Sequence, residues 1–312
     1  MQIFRNLTPT TEYTAVALGY FDGMHIAHQK VINSAVECKK QGLTPIAFTF
    51  ISTPKAEDKA IQINTYEEKC RLFEKAGIEI LYIIDFELIR NKTPEDFVKE
   101  IVKGIFNAKK AFCGFNYHFG KNGAGNTDDL IHICKGYDIE VGVCEPVLIE
   151  DTVVSATQIR KFLLEGKIEL ANKFLGYDYG IVSTSVEGNH IGTNILDTPT
   201  VNQEFQQDIV LPKFGVYASI VTIDNNRYYG VSNIGVKPTI GDNYSPLCET
   251  WLPLYKGGDL YGKVIDTRLK AFIRPERKFD SLEELKAEIR RNGETAVEIL
   301  SQIEKTAPYG NP

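Results

Sequence analysis

The first half of the chain alternates between short apolar runs and longer stretches in which apolar residues recur at helical spacing. Each apolar run has the length of a buried strand. Strands that alternate with helices in this way favour a parallel sheet with helices on both faces. The predicted strands are Thr14–Leu18, Thr44–Phe50, Ile78–Ile84, Ala111–Cys113 and Glu140–Val147, and the predicted helices are about His28–Gln41, Tyr66–Ala76, Pro94–Phe106, Thr127–Gly136, Ala156–Leu164 and Ile168–Phe174.

The pattern changes after Gly176. From Tyr179 to Phe272, β-branched and aromatic runs are separated by turn residues, with no helical stretches between them. Short strands joined by tight turns predict an antiparallel barrel or sandwich. The tail from Ser281 to about Gln302 is amphipathic, and Ser281 with Glu284 three residues later has the spacing of a capping box at a helix start. The predicted domains are residues 1–178 and 179–312.

Composition and charge argue against several classes of protein. At about 150 residues per domain, 312 residues suggest two domains. The net charge of −6 argues against a nucleic-acid-binding protein, which carries a basic excess. No apolar run approaches the roughly 20 residues that cross a bilayer, the first residues lack a signal-peptide pattern, and the six cysteines form no CxxC pair. We therefore expect a cytoplasmic protein with reduced thiols that binds neither membrane nor nucleic acid; its oligomeric state is left open.

The richest segment chemically is LGYFDGMHIAHQKVI, residues 18–32. A predicted strand leads into a glycine-containing turn, and His25 and His28 stand at the start of the next helix. Helix N-termini attract phosphate through their free N–H groups, and two imidazoles one turn apart can add donors. That arrangement suits transfer of a nucleotidyl group, in which the protein mainly positions the reactants and stabilises charge. Spacing alone is equally compatible with surface histidines at a helix cap.

This segment resembles the nucleotidyltransferase superfamily, whose signature is His-x-Gly-His after a strand. It is most similar to GxFDGxHxGH of the FMN adenylyltransferase module in prokaryotic bifunctional riboflavin kinase/FAD synthetases. Segments 113–120 and 154–176 resemble further motifs in the family's order. The resemblance implies a Rossmann-like nucleotidyltransferase domain with catalytic His25 and His28. The ATP-binding residues that it implies are Gly19, Phe21, Asp22, Gly23, Asn116, Ser155, Thr157 and Arg160.

The N-terminal half also departs from the family pattern. Ala27 stands at the signature's second glycine, Asn116 at an aspartate and His118 at an arginine. The family's Thr-Phe-Asp-Pro-His-Pro loop is TFISTP here, residues 49–54, so its polar centre is lost.

Five segments of the second half resemble the riboflavin kinase module of the same family, in its order and spacing. They are residues 214–219, 228–239, 248–254, 259–263 and 273–285. The resemblance implies an antiparallel β-barrel riboflavin kinase domain with a C-terminal helix, in which Glu249 accepts the proton of the riboflavin 5′-hydroxyl. Elementary chemistry agrees, because an alcohol that attacks a γ-phosphate must lose a proton and a positioned carboxylate can take it.

Residues 199–202, PTVN, resemble the family's Pro-Thr-Ala-Asn. The resemblance implies that Thr200 and Asn202 hold Mg²⁺ jointly with the ATP phosphates, and hydroxyl and amide oxygens suit that ion. The family's preceding phosphate loop is GTNILDT here, residues 192–198, and it departs from the family pattern.

The resemblance favours a bifunctional enzyme that phosphorylates riboflavin to FMN and adenylylates FMN to FAD, with ATP, riboflavin and FMN as substrates. Three alternatives stay open. One half has lost its activity at an altered loop, or the chain is a flavin- or nucleotide-binding regulator without turnover. A third is a nucleotidyltransferase domain fused to an unrelated barrel.

Overall fold

A computed structural model describes residues 1–51, 61–186, 200–238 and 244–306. The altered loop at 192–198 lies outside these ranges, and so do residues 52–54 of the altered loop at 49–54. The chain divides into two compact units, Met1–Ala156 and Thr157–Pro312. The predicted division at 178/179 stays a prediction, since a compact unit of the structure need not end where a domain ends. Within the described ranges, no helix has the length and apolarity to span a membrane.

The first unit contains a six-stranded parallel sheet with the order β1–β4–β3–β2–β5–β6, which confirms the predicted α/β class. A short hairpin, β7–β8, follows the sheet. The strands are β1 Gln2–Phe4, β2 Thr14–Leu18, β3 Thr44–Phe50, β4 Ile80–Ile84, β5 Ala108–Gly114, β6 Glu140–Cys144, β7 Leu148–Ile149 and β8 Thr152–Val153. The helices are α1 Ile26–Glu37, α2 Tyr66–Lys75, α3 Pro94–Asp96 with its π-helical continuation Phe97–Ile105, and α4 Thr127–Lys135.

The strand order places a topological switch point between β2 and β5. The chain builds β3 and β4 to one side of β2 and then returns to build β5 and β6 on the other. Every residue of β2 is buried, as a parallel strand covered on both faces requires. Ligands of such sheets bind beyond the carboxyl ends of the strands at this point. The turns that follow β2 and β5 are therefore the places to look for a site.

Hydrophobic periodicity did not predict two local features of this unit. Strand β1 was not predicted, because it is a three-residue edge strand that is largely exposed. Thr93 caps α3, since its Oγ1 accepts the Asp96 N–H at 3.1 Å ahead of Pro94 in the first turn. The π-helical continuation of α3 was not predicted.

The second unit holds a six-stranded antiparallel sheet with the order β10–β13–β12–β11–β14–β9, closed enough to enclose an apolar interior. This confirms the predicted barrel class and its C-terminal helix. A tight turn at Asp224 and Asn225, both with positive φ, joins two of the strands. The elements are α5 Ala156–Glu165, α6 Ile168–Leu175, β9 Gly180–Thr184, β10 Thr200–Glu204, β11 Gly215–Ile223, β12 Asn226–Pro238, β13 Tyr244–Trp251, β14 Val264–Pro275 and α7 Leu282–Thr306.

Helix α7 covers one face of this sheet, where its apolar side packs on β11, β12 and β14. Ser281 caps the helix as predicted, accepting the Glu284 N–H at 3.1 Å. The reciprocal bond of the predicted capping box goes elsewhere: the Glu284 carboxylate accepts from the Asp280 N–H at 3.2 Å. Buried Glu288 anchors the helix to the sheet through an ion pair of 3.0 Å with Arg274 on β14.

Candidate active sites

The candidate site of the first unit is the turn between β2 and α1. The Gly19 N–H bonds the Phe48 carbonyl at 3.3 Å, which extends the pairing of β2 with β3 by one residue. The chain then turns through positive φ at Phe21 and Met24 as well as Gly23. A Cβ at Gly19 would lie 2.9 Å from the Phe21 ring, and one at Gly23 would meet Ile63 at 2.8 Å. A side chain at position 19 would displace the Phe21 ring, and the positive φ of Gly23 favours glycine there.

Two buried side chains hold the turn in place. The Asp22 carboxylate accepts the Ile63 N–H at 2.9 Å. The Phe21 ring packs edge-on against both Phe73 of α2 and His28, with centroids 5.5 and 5.3 Å apart. Phe21 and Asp22 thus shape the turn from within. Their contact with ATP, like that of Gly19 and Gly23, stays a prediction.

The two histidines stand together at the start of α1. His25 is the N-cap, and its Nδ1 accepts the His28 N–H at 3.3 Å. The two rings stack with centroids 3.5 Å apart. Because Nδ1 of His25 is an acceptor, the neutral ring carries its proton on Nε2. Nδ1 of His28 is buried and has no hydrogen-bond partner among the described residues.

Burial controls the charge of this pair. It lowers the pKa of His25 to about 4, the backbone hydrogen bond only partly opposing it. The pKa of His28 also lies well below its ordinary value, first through burial and then through electrostatic interactions with His25 and with the Lys69 ammonium. Both imidazoles are thus neutral at pH 7 and can act as hydrogen-bond donors without carrying a charge.

The remaining nucleotide-binding candidates are divided between the units. Asn116 is exposed in the loop after β5, at the sheet edge that also carries the β2–α1 turn. Ser155 lies in the first unit, whereas Thr157 and Arg160 lie on α5 in the second. The structure therefore brings His25 and His28 together, and the roles of Ser155, Thr157 and Arg160 towards them stay predictions.

The candidate site of the second unit is built by strand register. Glu249 of β13 stands opposite Asn202 of β10 on one side and Asn233 of β12 on the other. Directly opposed residues of neighbouring strands share a face of the sheet. Thr200 lies two residues before Asn202, opposite Trp251, and therefore shares that face. The structure thus brings the predicted base and both predicted metal ligands together.

A chain of hydroxyl groups fixes the face to which Glu249 belongs. Its neighbour Thr250 is buried inside the sheet, where its hydroxyl bonds Ser232 at 2.7 Å. Ser232 in turn bonds Ser219 at 2.7 Å. A one-residue slip of β13 would break this chain and turn Glu249 to the other face. The interior hydroxyls therefore set the register on which the site depends.

The oxygen atoms of Thr200 and Asn202 fit Mg²⁺. Asn202 is 3% exposed, and its Oδ1 has no hydrogen-bond partner among the described residues. Leaving a buried acceptor unsatisfied is costly, so an amide oxygen in this state suits a cation. Over the described ranges, no three His, Cys, Asp or Glu residues cluster in a way that could hold a metal. As ligands of a divalent cation, the two residues would form a partial set, of the kind that substrate phosphates complete.

Two residues beside these sites were missed by the sequence reasoning. Asn233 lies next to Glu249 only through strand pairing, and its signal was its place in a segment that resembles riboflavin kinases. Lys69 is buried in the first unit behind the β2–α1 turn. Lys69 lies three residues before Leu72 and four before Phe73, and this spacing puts it on the buried face of α2. That spacing was the feature of the sequence that could have identified it.

The chain matches two family models, and they coincide with the two sites. The FAD synthetase model covers residues 7–158, and the riboflavin kinase model covers residues 175–300. Together they define an enzyme that joins a nucleotidyltransferase domain of α/β type to a riboflavin kinase barrel.

Similar proteins carry both domains in one chain. The bifunctional riboflavin kinase/FMN adenylyltransferase of Bacillus subtilis is 32% identical over 94% of each chain. The enzyme of the same name from Escherichia coli K12 is 29% identical over 93% of each chain. A crystal structure titled as a macrolide-efflux protein from Streptococcus pneumoniae has the same fold, with a TM-score of 0.84 and 28% identity over 94% of this chain and 97% of that one.

The chain belongs to the bifunctional riboflavin kinase/FMN adenylyltransferase family. It is an enzyme of flavin biosynthesis with both transferase domains, as the sequence motifs predict. The alternative of an unrelated barrel is wrong, because that barrel matches the riboflavin kinase model.

Proposed function

We propose that this chain converts riboflavin to FMN at the Glu249 site and FMN to FAD at the His25–His28 site, each step consuming Mg-ATP. The observation that carries the proposal is that each unit keeps its chemical groups together. Glu249 and Asn202 are paired in register, and the two histidines stack at the sheet's switch point.

In the kinase step, the riboflavin 5′-hydroxyl attacks the γ-phosphorus of ATP. The new O–P bond forms as the bond to the bridging oxygen breaks, and ADP leaves. Glu249 accepts the proton of the hydroxyl, since its carboxylate shares a face with the phosphate-side residues. Thr200 and Asn202 would hold Mg²⁺. The ion, when bound, neutralises charge on the phosphate oxygens.

In the adenylylation step, a phosphate oxygen of FMN attacks the α-phosphorus of ATP and pyrophosphate leaves. Charge grows on the α-phosphate oxygens and on the leaving group, and hydrogen-bond donors stabilise it there. His25 offers Nε2–H for this purpose and His28 its ring N–H, both as neutral groups. Ser155, Thr157 and Arg160 would add hydroxyls and a guanidinium, and Asn116 an amide.

The ligands of this enzyme are then small molecules, namely ATP, riboflavin and FMN. We place it in the cytoplasm, where ATP is available. The six cysteines support that location, because all are free thiols, as in proteins of reducing compartments.

A chromatographic time course with Mg-ATP, run in parallel on riboflavin and on FMN, tests the proposal. FMN followed by FAD from riboflavin supports both assignments, and chelation of divalent cations should stop both steps. FAD from added FMN alone would mean that the kinase half is inactive. FMN without FAD would mean that the adenylyltransferase half is inactive. Flavin binding without either product would contradict the enzyme proposal and favour a regulator.

A further inference from the structure

Lys69 is a buried cation for which the reactions above have no role. Its side chain is 3% exposed. The ammonium donates to the Tyr20 carbonyl at 2.7 Å and to the Phe50 carbonyl at 3.3 Å, and it lies 4.6 Å from the centroid of the Tyr20 ring. Burying a charge is costly unless it is paired and hydrogen-bonded. A lysine in this position therefore needs a reason.

Its two main-chain partners follow adjacent strands of the sheet. Tyr20 lies in the turn after β2, and Phe50 ends β3. The Tyr20 carbonyl also accepts the Thr49 hydroxyl at 2.6 Å, so two donors fix its direction. The next residue, Phe21, has the left-handed backbone conformation from which the rest of the turn follows. The orientation of this one carbonyl thus helps to set the path of the chain into His25.

We propose that Lys69 is a positioning residue of the adenylyltransferase site, where its ammonium clamps the Tyr20 carbonyl and thereby holds the turn that carries His25 and His28. This role rests on the proposed function of that site. Lys69 acts from behind the turn, through its hydrogen bond to the main chain and through its charge.

The charge of Lys69 has a second consequence. Burial lowers its pKa to about 8, with Asp22 of the turn and Cys70 of its own helix opposing the shift. Lys69 is therefore cationic at neutral pH, and its charge lowers the pKa of His28. Removing the ammonium should both loosen the turn and make His28 easier to protonate. If Lys69 had only a structural role, its removal would have only the first effect.

The test compares Lys69→Met with Lys75→Met in the full chain. Methionine keeps the aliphatic stem and removes the ammonium, and Lys75 is an exposed residue of the same helix. We expect Lys69→Met to lower kcat for FAD formation from FMN by about tenfold to a hundredfold, the scale of a small misplacement of reacting groups. Lys75→Met should stay within about twofold of the wild type. Riboflavin phosphorylation in the same preparations checks that the rest of the chain is intact.

The second readout is the titration of His28, followed by NMR of labelled imidazoles in the wild type and the variants. Loss of the nearby charge should raise its midpoint relative to the wild type. Should Lys69→Met fail to fold, Lys69→Gln replaces it, because an amide can still donate to the Tyr20 carbonyl but carries no charge.

Two results would overturn the proposal. One is a loss of FAD formation no larger in the Lys69 variant than in Lys75→Met. The other is an unchanged His28 titration in every Lys69 variant. FAD formation by the wild type tests the proposed function separately. If the wild type makes no FAD, that function fails, while the titration still decides whether Lys69 acts on His28.

Discussion

The two sites of this chain are assembled in opposite ways. In the first unit, a single turn of consecutive residues from Gly19 to His28 carries the predicted histidines, and buried partners hold it from behind. In the second unit, Glu249 and Asn202 lie far apart in the sequence and meet only because β13 pairs with β10. A local turn depends on the backbone conformation of a few residues. A site built by register depends on the whole sheet.

The two sites also differ in charge. The N-terminal site gathers nitrogen donors, and burial lowers the pKa of each of its basic groups, His25, His28 and Lys69. The C-terminal site gathers oxygen acceptors from Glu249, Asn202 and Thr200. Donors suit phosphate oxygens on which charge develops, whereas acceptors suit a proton and a metal ion. This difference between the sites matches their reactions. Only phosphorylation of riboflavin, in the second unit, begins with an alcohol that must lose a proton.

The largest effect should come from Glu249→Gln. The amide keeps the shape of the side chain but cannot accept the hydroxyl proton. We expect FMN formation to fall by about 10²–10⁴, the usual contribution of a general base. FAD formation from added FMN should be unchanged, because that reaction uses the other unit. Chromatography of both products measures the two rates.

Exposed Glu294 on α7 supplies the matched control, since Glu294→Gln makes the same chemical change away from the site. Wild-type FMN formation by Glu249→Gln would show that another group is the base.

His28→Ala should give the reverse pattern. Loss of one well-aimed donor costs about 10²–10³ in rate, so FAD formation should fall by that factor while FMN formation persists. His132→Ala, at an exposed position of α4, is the control. A loss of less than about threefold is far below that scale and would mean that the nucleotide does not contact His28.

Most elements of the first unit, and the antiparallel class of the second, could be predicted from the sequence because apolar residues recur there with a regular period. Strands β2 and β3 lie where their apolar runs predict them. Edge strand β1 could not be predicted, since a short and largely exposed strand leaves no periodic hydrophobic pattern. The hydrogen bond from the Asp280 N–H to Glu284 could not be predicted either. A capping-box pattern specifies the spacing of two residues but not which N–H each side chain accepts.

The candidate sites show the same limit. The glycine turn with His25 and His28 is contiguous, so its chemistry could be proposed from residue types and spacing. The pairing of Glu249 with Asn233 required the strand register, which the sequence does not state. Lys69 was missed because a lysine on a helix normally predicts an exposed face. Only the contacts of its ammonium with two carbonyls show why it is buried.

Acid should destabilise the first unit through its histidines. The pKa of His25 is about 4 in the folded chain and near 6.5 when unfolded, so the unfolded state binds more protons between these values. Stability from the neutral ring is present above pH 6.5 and is lost as the pH falls towards 4. The loss reaches about 3 kcal/mol for His25 alone, and His28 changes it in the same direction.

Denaturant unfolding between pH 7 and pH 4, followed by NMR signals of β2, measures this effect. His25→Gln should flatten the dependence, and His132→Gln should leave it as in the wild type. The only tryptophan, Trp251, reports on the second unit in the same samples. Identical pH dependence of the wild type and His25→Gln would contradict the burial of that imidazole.

The smallest effects should come from two helix caps, one in each unit. Thr65 accepts the Glu68 N–H at 3.2 Å at the start of α2, and Ser281 accepts the Glu284 N–H at 3.1 Å at the start of α7. Alanine at either position should cost about 1 kcal/mol of unfolding free energy.

The two caps differ in what their helices carry. Because α2 bears Lys69, Thr65→Ala should also lower FAD formation, by less than the Lys69 variants do, while Ser281→Ala should leave FAD formation unchanged. Ser301→Ala inside α7 is the control, since a serine that bonds its own helix backbone adds little stability. If both cap variants lowered FAD formation equally, the loss would not be specific to α2, and the proposed dependence of the Gly19–His28 turn on that helix would be wrong.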